Sequence, residues 1–204
     1  MPFDAPLQIL TVIALPTVLT YLGVIPLAFR GWTLLAVTAV VIAIIARERW
    51  SPRDLGLRGD TLRTGWSRYL IGTVLGVLAI VGLAALTGRR TLPNWWMSPH
   101  FLGGFLIVSI AQEIIFRGFL IPKLQGLLRS TAFTVLANAL LFTAIHAIFP
   151  SPAIVLPLTF LGGLLLALLY VRYPNLVLVT AAHIALNVTA TLYCFASTQT
   201  SCLA

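Results

Sequence analysis

The sequence predicts an all-α fold: a polytopic bundle of about seven membrane-spanning helices, forming one domain over residues 1–204. Three observations carry this reading. Of the 204 residues, 59% are hydrophobic and 9% are charged, and a soluble domain of this size cannot hide that much apolar surface, because so many of its residues must face water. Apolar runs close to the ~20 residues that cross a bilayer follow one another almost end to end. The breaks between them are polar and rich in arginine. Pro and Gly recur inside the runs, which a helical bundle tolerates where neighbouring helices satisfy the freed backbone groups.

The spans read as about 7–29, 31–46, 69–87, 100–121, 131–149, 153–172 and 175–196. The start, Met1-Pro2-Phe3-Asp4, lacks the basic region of a signal peptide, so the first apolar run reads as a retained helix. Arg30-Gly31 makes the first break. The second, Arg47 to Arg68, is the only long polar segment, with Arg47, Arg49, Arg53, Arg58, Arg63 and Arg68 mixed among Trp50, Leu55, Leu57, Leu62 and Trp66. Such a mixture suits a chain lying on a lipid surface. Later breaks fall at Arg89-Arg90 to Pro99, Pro122 to Ser130, Pro150-Ser151-Pro152 and Arg172-Tyr173-Pro174. Gly72 and Gly76 form a GxxxG pattern, read as close helix packing within the bundle. Cys194 and Cys202 form no metal pattern, and the sequence does not decide whether they pair. No internal repeat or low-complexity tract is visible.

The formal net charge of +8 is not read as a nucleic-acid surface, because the charges sit at helix ends and no separate basic domain exists. Positive charge flanking apolar spans follows the positive-inside rule, and the lipid bilayer is the implied partner. With Arg47–Arg68 inside, the cytoplasmic side also holds Lys123, Arg129 and Arg172, against Arg30, Arg89 and Arg90 outside. The N-terminus is then cytoplasmic and the C-terminus outside.

Ionisable residues inside a span are expensive, and each asks for a reason. Asp4, Glu48, Asp54 and Asp60 lie at the ends or in the surface segment, and His100 lies at a span edge with no chemical task. The intramembrane set is Glu113, Arg117, His146 and His183. Glu113 and Arg117 are four apart and share a helix face. So do Phe142 and His146, and His183 and Asn187. Three spans thus present polar groups in i, i+4 register, which suits one shared pocket. Taken singly, Glu113 with Arg117 fits a structural ion pair, His146 a helix-linking hydrogen bond, and Asn187 interhelical glue. Together they form a chemical kit. A carboxylate and a neutral imidazole can remove a proton from water. A second His and an Asn amide can donate to a developing oxyanion. Arg117 can keep the buried carboxylate ionised. Two His and one Glu also match a catalytic zinc site in ligand type. There is no HExxH, however, and the ligands would come from three helices. No cofactor is therefore expected, and zinc is not favoured.

Gln112-Glu113-Ile114-Ile115-Phe116-Arg117-Gly118 resembles the EExxxR motif, often written with FRG, of the CPBP family of CAAX-protease and bacteriocin-processing membrane proteins, also called Abi. Phe142-Thr143-Ala144-Ile145-His146 is similar to its FxxxH motif, and His183-Ile184-Ala185-Leu186-Asn187 to its HxxxN motif. Asp54-Leu55-Gly56-Leu57-Arg58 is similar to a segment that many bacterial members carry before the core helices. The core carrying the three motifs is residues 100–196.

The resemblance implies a glutamate-dependent intramembrane protease in a bacterial inner membrane, acting on a membrane protein or peptide. Glu113 then matches the second glutamate of EExxxR, Arg117 its arginine, His146 the FxxxH histidine, and His183 with Asn187 the HxxxN pair. Gln112 departs from the pattern, standing where the family has the glutamate assigned as water-activating base. An amide cannot take that proton. Either Glu113 is the base here, or the chain is a non-hydrolytic relative: a silent membrane binding or immunity protein with the same pocket. A small proton-coupled transporter using Glu113 and the histidines is a third class, which would more often show internal repeats. Depth raises one further expectation. At about 1.5 Å per residue, Glu113 and His183 fall near mid-membrane and His146 near the outer edge. A single pocket therefore requires a displaced fourth or fifth span, or a break near Pro150–Pro152 dipping into the bundle.

Overall fold

The computed structural model describes residues 5–95, 104–149 and 151–195. The described residues form seven helices and no strand: α1 Ala5–Tyr21, α2 Arg30–Arg47, α3 Gly59–Leu86, α4 Phe105–Leu128, α5 Thr131–Ala144, α6 Pro152–Arg172 and α7 Leu176–Leu192. A 3-10 turn, Leu27–Phe29, leads into α2. Four of the seven (α2 with its lead-in turn, α3, α4 and α6) are long and apolar enough to cross a membrane. His100, Pro150 and Cys202 lie outside the described residues. Among the described residues no cysteine is free.

Polarity is inverted relative to a soluble fold. Trp32, Leu75 and Leu86 are 71%, 61% and 87% exposed, while Glu113 and Arg117 are fully buried. Leucines facing outward in such numbers require an apolar surrounding. The chain is an integral membrane protein with a helical bundle fold.

Several boundaries differ from the expected spans, each for a local reason. The first helix stops at Tyr21 rather than near residue 29, because Gly23 takes a left-handed φ of 72° and turns the chain. α3 starts at Gly59, so the second half of the Arg47–Arg68 segment is helical and only its first part is loop. That loop is tied down. Thr61 Oγ1 donates to Pro174 O at 2.7 Å, Asn175 Nδ2 donates to Arg58 O at 2.7 Å, and Leu176 N donates to Gly56 O at 2.9 Å. Gly56 has a φ of 75°, and a Cβ there would lie 2.5 Å from the Tyr170 hydroxyl, so only glycine fits. Trp66, Leu62 and Leu57 remain exposed, as a lipid-surface segment requires.

α4 runs past Pro122 to Leu128 because the preceding stretch, Ile114–Leu120, is wound as π-helix. α5 ends at Ala144, five residues before the expected end, and residues 145–149 turn back. At 14 residues it is about 21 Å long, short of a ~30 Å hydrocarbon core.

Two apolar clusters hold the bundle. One joins Tyr69, Ile80 and Ala84 of α3 to Leu166 and Tyr170 of α6 and Val179 and Leu186 of α7. The GxxxG pattern lies in this contact: a Cβ on Gly72 would meet Leu169 Cδ1 at 3.0 Å, and one on Gly76 would meet Leu186 Cδ2 at 2.7 Å. The other cluster packs Val12 and Ile13 of α1 and Val41 and Ile45 of α2 against Ile115, Phe116 and Phe119 of α4.

Candidate active site

The polar side chains of α4, α7 and the turn after α5 meet inside the bundle. Glu113 Oε1 accepts from Arg117 Nη1 at 3.0 Å. The same oxygen lies 2.6 Å from His183 Nδ1. A carboxylate oxygen accepts, so Nδ1 is the donor and Nε2 is the nitrogen left free for other chemistry. Arg117 Nη2 also donates to Gly163 O at 3.3 Å, and its guanidinium carbon sits 4.6 Å from the centre of the Phe142 ring. A fully buried arginine is thus matched by one carboxylate, one carbonyl and one aromatic face.

His146 follows the end of α5. Its Nδ1 lies 2.7 Å from Phe142 O. A carbonyl only accepts, so here too Nδ1 donates and Nε2 is free. The Phe142 ring bridges the two histidines, 4.6 Å from the His146 ring and 5.5 Å from the His183 ring. Asn187 Nδ2 donates to Ser109 Oγ at 3.1 Å, which leaves one of its two N–H groups uncommitted.

These groups border a cavity of about 660 Å³. Gln112, His146, His183 and Asn187 line it, together with apolar side chains such as Phe116 and Leu165. Its walls come from the end of α1, the starts of α2, α4 and α6, the second half of α3, the turn after α5 and the end of α7. It therefore lies in the half of the bundle opposite the Arg47–Arg68 segment. Glu113 and Arg117 are not part of its lining. They sit directly behind it, and Glu113 is joined to the cavity wall by its contact with His183. Glu113 Oε2 and Gln112 Oε1 are buried acceptors with no hydrogen-bond partner among the described residues.

All six sequence-derived candidates, Gln112, Glu113, Arg117, His146, His183 and Asn187, lie in this one region. The depth difficulty is resolved by the short α5. Glu113 is 15 residues before the end of α4, and His146 is 15 residues after the start of α5, so both sit at a similar height above the loop that joins these helices.

Sequence reasoning missed three contributors. Ser109 is fully buried and stands four residues before Glu113, so its i, i+4 spacing was a usable signal. Gly163 matters through its carbonyl and its missing side chain: a Cβ there would meet Phe142 Cδ1 at 3.0 Å, beneath Arg117. Asn138 is fully buried on α5 and bonds α4. A search confined to ionisable residues passes over it. Among the described residues no three His, Cys, Asp or Glu side chains are grouped as a metal site.

Residues 93–189 match a family model described as "Type II CAAX prenyl endopeptidase Rce1-like". No curated protein and no solved structure matches the chain.

Proposed function

We propose, from the premise that this chain belongs to the CPBP (Abi) family of membrane proteases, that it is an intramembrane endopeptidase hydrolysing a peptide bond of a membrane-associated protein or peptide. The observation that carries the reading is the Glu113 carboxylate held between Arg117 at 3.0 Å and His183 Nδ1 at 2.6 Å, directly behind the cavity wall.

A carboxylate on Nδ1 sets the tautomer of an imidazole and stabilises the imidazolium formed when Nε2 takes a proton. In the proposed reaction His183 Nε2 takes one proton from water as the water oxygen bonds to the scissile carbonyl carbon. The carbonyl π electrons move onto its oxygen, to which the Asn187 amide donates. Collapse breaks the C–N bond, and His183 returns its proton to the leaving amine. His146 offers its free Nε2 to orient the water. Gln112 serves as a hydrogen-bonding group only, and the base is the Glu113–His183 pair.

The scheme uses no metal. Stoichiometric zinc in protein purified without added metal, lost together with activity on chelation, would replace it with a His2Glu zinc mechanism. The Arg47–Arg68 segment faces the cytoplasm of a bacterial-type inner membrane and the C-terminus faces outside, which puts the cavity in the outer half.

The test compares protein termini in membrane fractions from cells making the wild-type chain with those from cells making His183→Ala. Paired new C- and N-termini within a membrane-associated segment are expected only with wild type. Identical termini would leave the silent-binder reading, favoured by Gln112 at the first glutamate position, in which the pocket holds a peptide without cutting it.

A further inference from the structure

Asn138 is a fully buried amide in the middle of an apolar helix. Its Nδ2 donates to the main-chain carbonyl of Phe116 at 2.7 Å, and its Oδ1 has no partner among the described residues. Thr134, four residues earlier and on the same face, is also fully buried with an unpartnered hydroxyl. A leucine fills the space of an asparagine without desolvating an amide, so packing alone does not account for this residue.

The acceptor does account for it. Phe116 lies in Ile114–Leu120, the π-wound part of α4, and Pro122 follows. When i→i+5 bonding returns to i→i+4, one carbonyl is left without a helical donor. Pro122 has no N–H, so the carbonyl four or five residues before it, on Gly118 or Arg117, also loses its donor. Such a stretch takes up donors from outside the helix, and Asn138 supplies one to the Phe116 carbonyl. The winding also sets direction. One extra residue in a turn rotates everything after it by about 100° relative to a straight α-helix. Gln112 and Glu113 precede the π stretch, while Phe116 and Arg117 lie within it. The π turn therefore sets the angle at which Arg117 meets both Glu113 and Gly163 O.

We propose that Asn138 is a positioning residue: through the Phe116 carbonyl it holds the π turn of α4, and so fixes Arg117 and Glu113 against His183. Asn138 does not line the cavity and acts only through α4. The effect on rate rests on the protease reading above, whereas the effect on His183 does not.

The test uses the full chain in lipid nanodiscs with 15N-labelled histidine. The sequence holds three histidines, and the His183 imidazole signal is identified by its loss in His183→Ala. Turnover is measured on the peptide cleaved fastest in the membrane-termini comparison. Asn138→Ala and Asn138→Leu, which have no donor, are expected to move the His183 Nδ1 signal. They should lower kcat roughly ten- to a hundredfold, the range for a displacement near 1 Å, with KM unchanged. Asn138→Ser, which restores a shorter donor, should move both readouts back towards wild type. If wild type cleaves nothing, the protease reading fails and the His183 signal alone decides the positioning claim. An unmoved His183 signal in Asn138→Ala and Asn138→Leu, with only the melting temperature changed, overturns the proposal. So does an Asn138→Ser variant as impaired as Asn138→Leu.

Discussion

Glu113→Gln separates the two tasks of the buried carboxylate, and the structure gives a magnitude for each. Arg117 is fully buried, with Glu113 at 3.0 Å, Gly163 O at 3.3 Å and the Phe142 ring at 4.6 Å around it. Removing one partner of such a pair costs about 3–5 kcal/mol, because a charge is left uncompensated. Gln keeps an acceptor oxygen, so the lower end applies. For a chain of this size about 3 kcal/mol corresponds to a melting temperature roughly 6–12 °C lower. The variant should fold, since native stabilities are about 5–15 kcal/mol. Activity should suffer more. His183 loses the charge that stabilises its imidazolium, and turning a triad aspartate into an amide lowers kcat by roughly 10⁴. The double variant Glu113→Gln/Arg117→Met removes the stranded cation as well. It should recover most of the lost melting temperature and none of the activity. The assay is a thermal melt in nanodiscs beside the cleavage rate on the peptide found by termini comparison. A Glu113→Gln protein that cleaves at the wild-type rate would refute the role given to the Glu113–His183 pair.

Three further outcomes are expected. Gln112→Glu restores a carboxylate on the cavity wall and should raise kcat, by up to about 10²-fold if it joins proton transfer. Gln112→Ala should cost less than Glu113→Gln, because an amide only orients; steady-state kinetics on the same peptide decide both. Gly163→Ala puts a methyl 3.0 Å from Phe142 Cδ1 and 3.5 Å from Ala139 Cα. It should lower stability by about 1–3 kcal/mol and disturb the ring beneath Arg117, read as a lower melting temperature with reduced turnover. A reporter active only outside the cytoplasm should be active when fused at the C-terminus and silent within the Arg47–Arg68 segment, and the reverse pattern would invert the orientation.

The bundle was legible because membrane burial writes itself into composition: apolar runs must be long, and each ionisable residue within them is conspicuous. Glu113, Arg117, His146 and His183 stood out for that reason, and i, i+4 spacing aligned Asn187 with His183. Winding was not legible. The π stretch Ile114–Leu120 carries no sequence mark that distinguishes it from α-helix, so the passage of α4 through Pro122 went unforeseen. The early end of α5 was hidden because Ile145–Phe149 is as apolar as the helix before it, and hydropathy does not register where a chain turns inside a bundle. Contributions made through the main chain are silent as well. Phe116 and Gly163 act through their carbonyls, and no side-chain motif records that.

The central claim is that this chain adds water to a peptide bond. The most direct measurement incubates purified protein in nanodiscs with membrane extract in H₂¹⁸O, then weighs the new C-termini by mass spectrometry. The expected result is one ¹⁸O in each new carboxyl group with wild type and none above background with Glu113→Gln or His183→Ala. New termini that appear equally with all three proteins, or no new termini with wild type, would contradict it.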